Sequence, residues 1–218
     1  MTDLSIPAAQ HQFSYLALGD SYTIGEMVPE KESFPMLTVD LLNKKMLKKK
    51  DVAFFFKTPP VIIARTGWTT DELQSAITTA DIHDKFDLVT LLIGVNNQYR
   101  RRSVESYQEE FENLLLQAIE FADGRKAKVF VISIPDWGAT PYAEGRDRQL
   151  ITVEIDAYNA AAASICLRHD IVFLDITTSQ RQDAGKKEFL AKDGLHPSGK
   201  EYLKWALLLS ETIERQWG

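Results

Sequence analysis

The chain is predicted to fold as an α/β domain whose parallel sheet is covered by helices on both faces. Three observations predict it. Short apolar, β-branched runs recur along the 218 residues. Amphipathic stretches of period 3.6 separate them. The composition, 44% hydrophobic and 26% charged, is that of an ordinary globular chain long enough for one full core. No repeat, low-complexity tract or linker divides it, so residues 1–218 read as one domain, with 1–12 as an N-terminal arm.

In order, the strand candidates are 13–18, a segment within 52–64, 88–93, 129–134 and 171–174. Pro59 and Pro60 interrupt the second, which places its core strand at 61–64. Between strands the period lengthens. Val104, Tyr107, Phe111, Leu114, Leu115 and Ala118 form one apolar stripe, with Ser103 positioned to cap its start. Ile151, Ile155, Tyr158, Ala162 and Ile165 form another. Thr69 and Glu72 have the spacing of a capping box, and so do Ser198 and Glu201 after Pro197. In the last helix Leu203, Ala206, Leu207 and Ile213 are expected to face inward.

Several function classes drop out early. A formal net charge of −6 argues against nucleic-acid binding, which needs cations to neutralise phosphates. The basic run Lys44, Lys45, Lys48, Lys49 and Lys50 closes a helical stretch, where cations complement the helix dipole. The single cysteine, Cys166, excludes an internal disulfide and falls in a helical core pattern. No stretch approaches the length of a membrane span. Residues 1–12 show no basic segment followed by an apolar run, which predicts a cytoplasmic protein; a mature form whose leader has been removed would read the same. No two histidines share an element at metal-ligand spacing, so neither metal nor cofactor is predicted. The oligomeric state is not legible in the sequence, and a monomer is the favoured expectation.

In an open parallel sheet, sites collect at the carboxyl ends of the strands. Four segments meet that demand. Gly19-Asp20-Ser21-Tyr22-Thr23-Ile24-Gly25 follows the first strand; a serine on a tight turn is a nucleophile if a base partners it, and otherwise a helix cap. Asp20 is equally readable as a turn residue. Asp193-Gly194-Leu195-His196-Pro197 precedes the last helix, and an Asp three residues before a His can fold back onto its imidazole. The other histidines are weaker candidates: His11 lies in the N-terminal arm, His83 precedes a strand, and His169 ends a helix. Gly94-Val95-Asn96-Asn97 follows the third strand, and an Asn amide is an oxyanion donor. Thr66-Gly67-Trp68 follows the second strand, where a glycine N–H can approach an anion closely. Each segment is ambiguous alone; a nucleophile, a base, its orienter and two donors at one sheet end are not.

The sequence here resembles the SGNH hydrolases, also called GDSL-type esterases and lipases, through Ser21, Gly67, Asn96 and His196. The resemblance runs from Phe13 to the C-terminal helix. It implies a three-layer α/β/α sandwich with a flavodoxin-like, five-stranded parallel sheet. It further implies Ser21 as nucleophile, His196 as base and Asp193 as its partner, with an oxyanion hole from the N–H groups of Ser21 and Gly67 and the Asn96 side chain. Two positions depart from the family pattern: Tyr22 stands where Leu is usual, and Asn97 where Asp is usual. The second leaves open how the loop after the third strand is braced.

The expected activity is hydrolysis of small- or medium-chain carboxylic esters, with a small-molecule ester as the partner. Alternatives are a carbohydrate O-acetyl esterase, a lysophospholipase or thioesterase, and a non-catalytic flavodoxin-like binding domain. Trp68, Tyr99, Trp137 and Tyr142 are candidates to line the substrate pocket. Arg100, Arg101, Arg102, Arg146 and Arg148 read either as solvated or as contacts for an anionic substrate.

Overall fold

The computed structural model describes residues 11–48, 54–56 and 59–217. Lys49, Lys50, residues 1–10 of the expected arm and the start of the candidate segment at Val52 lie outside them. The strands are β1 (His11–Phe13), β2 (Tyr15–Asp20), β3 (Phe54–Phe56), β4 (Val61–Arg65), β5 (Leu88–Leu92), β6 (Val129–Ile132) and β7 (Val172–Leu174). The helices are α1 (Ser21–Ile24), α2 (Phe34–Lys48), α3 (Thr70–Ala80), α4 (Val95–Tyr99), α5 (Val104–Phe121), α6 (Arg148–Arg168), α7 (Thr177–Asp183) and α8 (Gly199–Trp217).

Five strands form one all-parallel sheet in the order β4-β2-β5-β6-β7. Renumbered along the chain, that is the 2-1-3-4-5 order of flavodoxin-like sheets. The central strands β2, β5 and β6 are buried along their whole length, which is why they read as continuous apolar runs rather than alternations. Helices α2 and α8 pack on each other, and α5 packs between α3 and α6. The chain enters the sheet at β2, moves outward to β4, then crosses back to β5. The switch point therefore lies between β2 and β5, with Ser21 directly after one and Asn96 in the short helix after the other.

Several local expectations changed. The first strand candidate is divided at Ser14, whose N–H and hydroxyl both turn to the Asp87 carboxylate (3.0 and 3.2 Å). His11 and Gln12, from the expected arm, join Phe13 in β1, which pairs in parallel with β3. In α8 the inward stripe is Tyr202, Trp205, Ala206, Leu209 and Ile213, whereas Leu203 and Leu207 are exposed. The large aromatics set that face, and the Trp205 indole N–H donates to the buried Glu201 carboxylate (3.0 Å). Glu201 is thereby withdrawn from any capping box with Ser198, whose hydroxyl donates instead to the Glu188 carbonyl (2.7 Å). The box at Thr69 and Glu72 does form, and Ser103 caps α5.

Cys166 is buried among the α6 core residues, and burial pushes its thiol up to about 12, which leaves it protonated and inert at neutral pH. Lys44 pairs with Asp40 on its own helix and Lys45 with Glu214 of α8. Among the described residues one helix, α6, is long and apolar enough to cross a bilayer by composition. Its Ile151, Ile155, Tyr158, Ala162 and Ile165 stripe is packed into the core.

Candidate active site

The site begins with a sharp reversal at the end of β2. Asp20 is the N-cap of α1, its Oδ1 accepting from the Tyr22 N–H (3.0 Å), and Ser21 is the first residue of this one-turn helix. Gly25 ends the turn at φ 74°, in the left-handed region. Gly19 serves differently from what its position suggests. A Cβ there would lie 2.1 Å from Thr23 Oγ1 and 2.4 Å from the Leu92 carbonyl, so close packing of the turn onto β5 demands glycine.

The His-bearing loop arrives from the far end of the chain. Asp193 folds its own loop by accepting from the Leu195 and His196 N–H groups through Oδ1, both at 3.0 Å. Its other oxygen meets His196 Nδ1 at 2.5 Å. The opposite ring nitrogen, Nε2, lies 3.0 Å from Ser21 Oγ. Burial opposes ionisation of Asp193, but the His196 ring and these two N–H donors together hold its carboxyl below the ordinary value. The carboxylate is charged at neutral pH and fixes the imidazole with Nδ1 protonated, leaving Nε2 to accept from serine. Tyr22, standing where the family has Leu, places its ring 5.3 Å from that of His196 and 6.3 Å from Trp205. The His196 ring is thus bounded by a tilted Tyr22 ring as well as by Asp193 at Nδ1. The single-residue substitution was visible in the sequence, but its partner was not.

The two oxyanion candidates come from β4 and β5. Asn96 Nδ2 donates one hydrogen to the Trp68 carbonyl (3.0 Å), which leaves its second amide hydrogen for a ligand. Asn97 braces the same junction. Its Oδ1 accepts from the Thr70 N–H (3.1 Å), and its Nδ2 donates to Thr70 Oγ1 (2.6 Å) with Glu110 Oε2 at 3.5 Å. The position where the family has Asp therefore still ties the two loops, through an amide that both accepts and donates.

Ser21, His196, Gly67 and Asn96 line one cleft of about 160 Å³, walled by Tyr22, Val95, Leu195, Tyr99, Trp137 and Tyr142. Three of the four sequence-predicted pocket residues are therefore in place. Trp68 is not. It lines a separate groove over β4 and α3, with Ile62, Ala64, Asp71 and Ala76, in the turn where its N–H donates to the Arg65 carbonyl (3.2 Å). Trp137 is buried and anchored by its indole N–H to Gln98 Oε1 (2.7 Å). Tyr99 and Tyr142 meet hydroxyl to hydroxyl across the cleft (3.3 Å).

The arginines take different positions. Arg100 and Arg102 bind the start of α3 through Gly67, Glu72 and Asp71. Arg148 donates to the carbonyls of Gly138, Ala139 and Thr140 and so shapes the loop before α6. Arg146 lies 5.1–5.4 Å from the ring centres of Trp137, Tyr142 and Tyr99, and Arg101 lines the neighbouring groove. That larger groove, of about 780 Å³, shares Tyr99 and Trp137 with the catalytic cleft. His83 is exposed beside Asp81, and His169 pairs with Glu112 at the end of α6, both away from the cleft. Among the described residues no group of three or more His, Cys, Asp or Glu side chains is gathered as a metal site would require.

Comparison with known proteins bears on this arrangement. The model of the GDSL-like lipase/acylhydrolase family matches residues 17–202. None of the curated proteins matches the chain. Among solved structures, TesA superposes with a TM-score of 0.67 at 16% identity, over 93% of this chain and 99% of its own. The lipase/acylhydrolase from Enterococcus faecalis gives 0.66 at 22% identity, over 93% and 96%. Axe2, an acetylxylan esterase from Geobacillus stearothermophilus, gives 0.66 at 18% identity, over 98% and 97%. At these identities the superpositions establish the fold. The family match goes further, since it takes in Ser21, Gly67, Asn96, Asp193 and His196 together: the chain belongs to the GDSL-like lipase/acylhydrolase family and is, by that membership, an esterase/lipase-type hydrolase.

Proposed function

We propose that the protein hydrolyses small- or medium-chain carboxylic esters through an acyl-enzyme on Ser21. The observation that carries this reading is the continuous contact from Ser21 Oγ to His196 Nε2 (3.0 Å) and from His196 Nδ1 to Asp193 (2.5 Å). In the first half-reaction Ser21 Oγ attacks the ester carbonyl carbon while His196 takes its proton. The N–H groups of Ser21 and Gly67 and the free amide hydrogen of Asn96 receive the charge that develops on the carbonyl oxygen. The C–O bond then breaks, and His196 protonates the departing alcohol. Water, deprotonated by the same imidazole, releases the acid and restores Ser21. Asp193 stabilises the imidazolium in both halves.

The size of the cleft supports a short acyl group. The cleft, of about 160 Å³ and walled by Val95, Leu195 and aromatic rings, has room for an ester group and a short acyl chain. A second reading, an O-acylated sugar, is favoured by the adjoining groove. There Arg101, Arg102 and Arg146 face Glu105, Asp147 and Glu154 beside the Tyr99 and Trp137 rings. Such mixed donors and acceptors next to aromatic faces suit a polyhydroxylated alcohol better than an acyl chain. Axe2, similar in fold, is an acetylxylan esterase.

The test is a panel of p-nitrophenyl esters of rising chain length alongside an acetylated pentose, with Ser21→Ala as the blank. Turnover is expected to be greatest for the shorter esters. Ser21→Ala and His196→Ala should each lose several orders of magnitude, because such residues act as a unit. Asn96→Ala should lose about 10²–10³-fold in kcat. Labelling of Ser21 by a fluorophosphonate that persisted unchanged in His196→Ala would refute the assignment of the base.

A further inference from the structure

The two oxyanion donors belong to different loops, and something must hold one against the other. Gly67 follows β4, whereas Asn96 lies in α4, after β5. Arg100 is the C-cap of α4, one turn beyond Asn96, and its backbone N–H donates to the Asn96 carbonyl (3.0 Å). Residues four apart on a helix share a face. From that face both side chains reach the same loop: Asn96 donates to the Trp68 carbonyl at 3.0 Å, and Arg100 Nη2 donates to the Gly67 carbonyl at 2.6 Å. The other guanidinium nitrogen lies 3.2 Å from Glu72 Oε1. Glu72 is itself fixed, since its second oxygen accepts from the Thr69 N–H at 2.9 Å. Gly67 sits at φ 83°, and the peptide on its carboxyl side is tied at both groups: the Trp68 N–H donates to the Arg65 carbonyl (3.2 Å), and the Gly67 carbonyl accepts from Arg100, which fixes from that side the residue whose own N–H is the oxyanion donor. A charged, two-point donor is the group suited to holding it.

We propose that Arg100 is a positioning residue of the oxyanion pocket, pinning the Gly67 carbonyl, and through it the residue whose N–H is the donor, to the helix that carries Asn96 so that both donors face one point. The inference rests on the ester-hydrolase reading above. It departs from the solvated or substrate-binding role that its sequence position suggests. Arg100 acts through Gly67 and Asn96 and takes no part in bond making itself.

The experiment compares wild type with Arg100→Met and Arg100→Lys on p-nitrophenyl acetate, and follows amide hydrogen exchange at Trp68 by NMR. Complete loss of an oxyanion donor costs about 10²–10³-fold, so misalignment of one should cost less, about 10–50-fold in kcat with KM changed by under about threefold. Lys should recover part of the loss, because an ammonium can reach the Gly67 carbonyl but cannot hold Glu72 in the same two-point geometry. Exchange at Trp68, whose N–H donates to the Arg65 carbonyl (3.2 Å), should accelerate in Arg100→Met. A purely structural role would lower the melting temperature and leave kcat of the folded protein unchanged. A kcat for folded Arg100→Met within twofold of wild type overturns the proposal. If wild type shows no Ser21-dependent hydrolysis, the ester-hydrolase reading fails on its own. Unchanged exchange at Trp68 in Arg100→Met overturns the anchoring in either case.

Discussion

Asp20 offers the most quantitative test of how this site is built. Its side chain is fully buried beside Ser21; Oδ1 accepts from the Tyr22 N–H, and Oδ2 has no hydrogen-bond partner among the described residues. Burial pushes its carboxyl from an ordinary 3.8 up to about 7, against the lowering effect of the Tyr22 N–H. The sign of the consequence follows from proton binding. Below pH 4 the carboxyl is protonated in both folded and unfolded chains, and its titration costs nothing. Between about 4 and 7 the unfolded chain releases the proton and the folded chain keeps it, so stability falls as pH rises. Above 7 both are ionised and the loss is complete. Those three decades, at about 1.4 kcal/mol each, amount to roughly 4 kcal/mol.

Asp20→Asn removes the titration while keeping an oxygen for the Tyr22 N–H. Urea unfolding of both proteins from pH 4 to pH 8 isolates the effect, because every other titrating group contributes equally and cancels in the difference. The variant should gain on wild type by roughly 4 kcal/mol across that range. Stability curves that stay parallel within about 0.5 kcal/mol would show that Asp20 ionises in the fold as it does in water, and the argument from its burial would fail.

Other outcomes follow from particular contacts. Asn97→Asp should cost about 1–3 kcal/mol at pH 7, because the new carboxylate faces Glu110 and cannot donate to Thr70 Oγ1. Thermal melts of Asn97→Asp combined with Glu110→Gln should regain most of that loss; no recovery would show that charge repulsion is not the cause. Gly94→Ala should be severely destabilised, by roughly 2–5 kcal/mol. Gly94 has φ 132°, and a Cβ would lie 2.7 Å from Tyr107 Cε2, on a ring whose hydroxyl is held by the Ile93 carbonyl. Chemical denaturation would measure it, and a variant as stable as wild type would contradict the packing described here.

Much of this protein is legible in its sequence, and the reason is periodicity. A strand buried on both faces must be apolar throughout, so β2, β5 and β6 stand out as runs, and an α/β alternation can only be a covered parallel sheet. The chemistry is legible because the topology places each candidate directly after a strand: Ser21 after β2, Gly67 after β4, Asn96 after β5. The spacing of Asp193 and His196 suffices because their contact closes within one loop.

Contacts between distant elements are another matter. The sequence carries no signal that Tyr22 would pack on His196, that Trp68 would turn away from the cleft, or that Arg100 would reach the Gly67 carbonyl. Each depends on where two loops from different strands meet, and a side chain's partner across space leaves no spacing to read. The same holds for α8, where apolar residues occupy more than one face and the buried Trp205–Glu201 contact selects which of them turns inward. Sequence alone thus determined the covered parallel sheet and the candidate residues at its strand ends, since these follow from local pattern and chain order, while the flavodoxin-like arrangement was implied by the family resemblance. Only the tertiary structure decided how those residues are aimed, because aim is set by packing and hydrogen bonds between segments far apart in the chain.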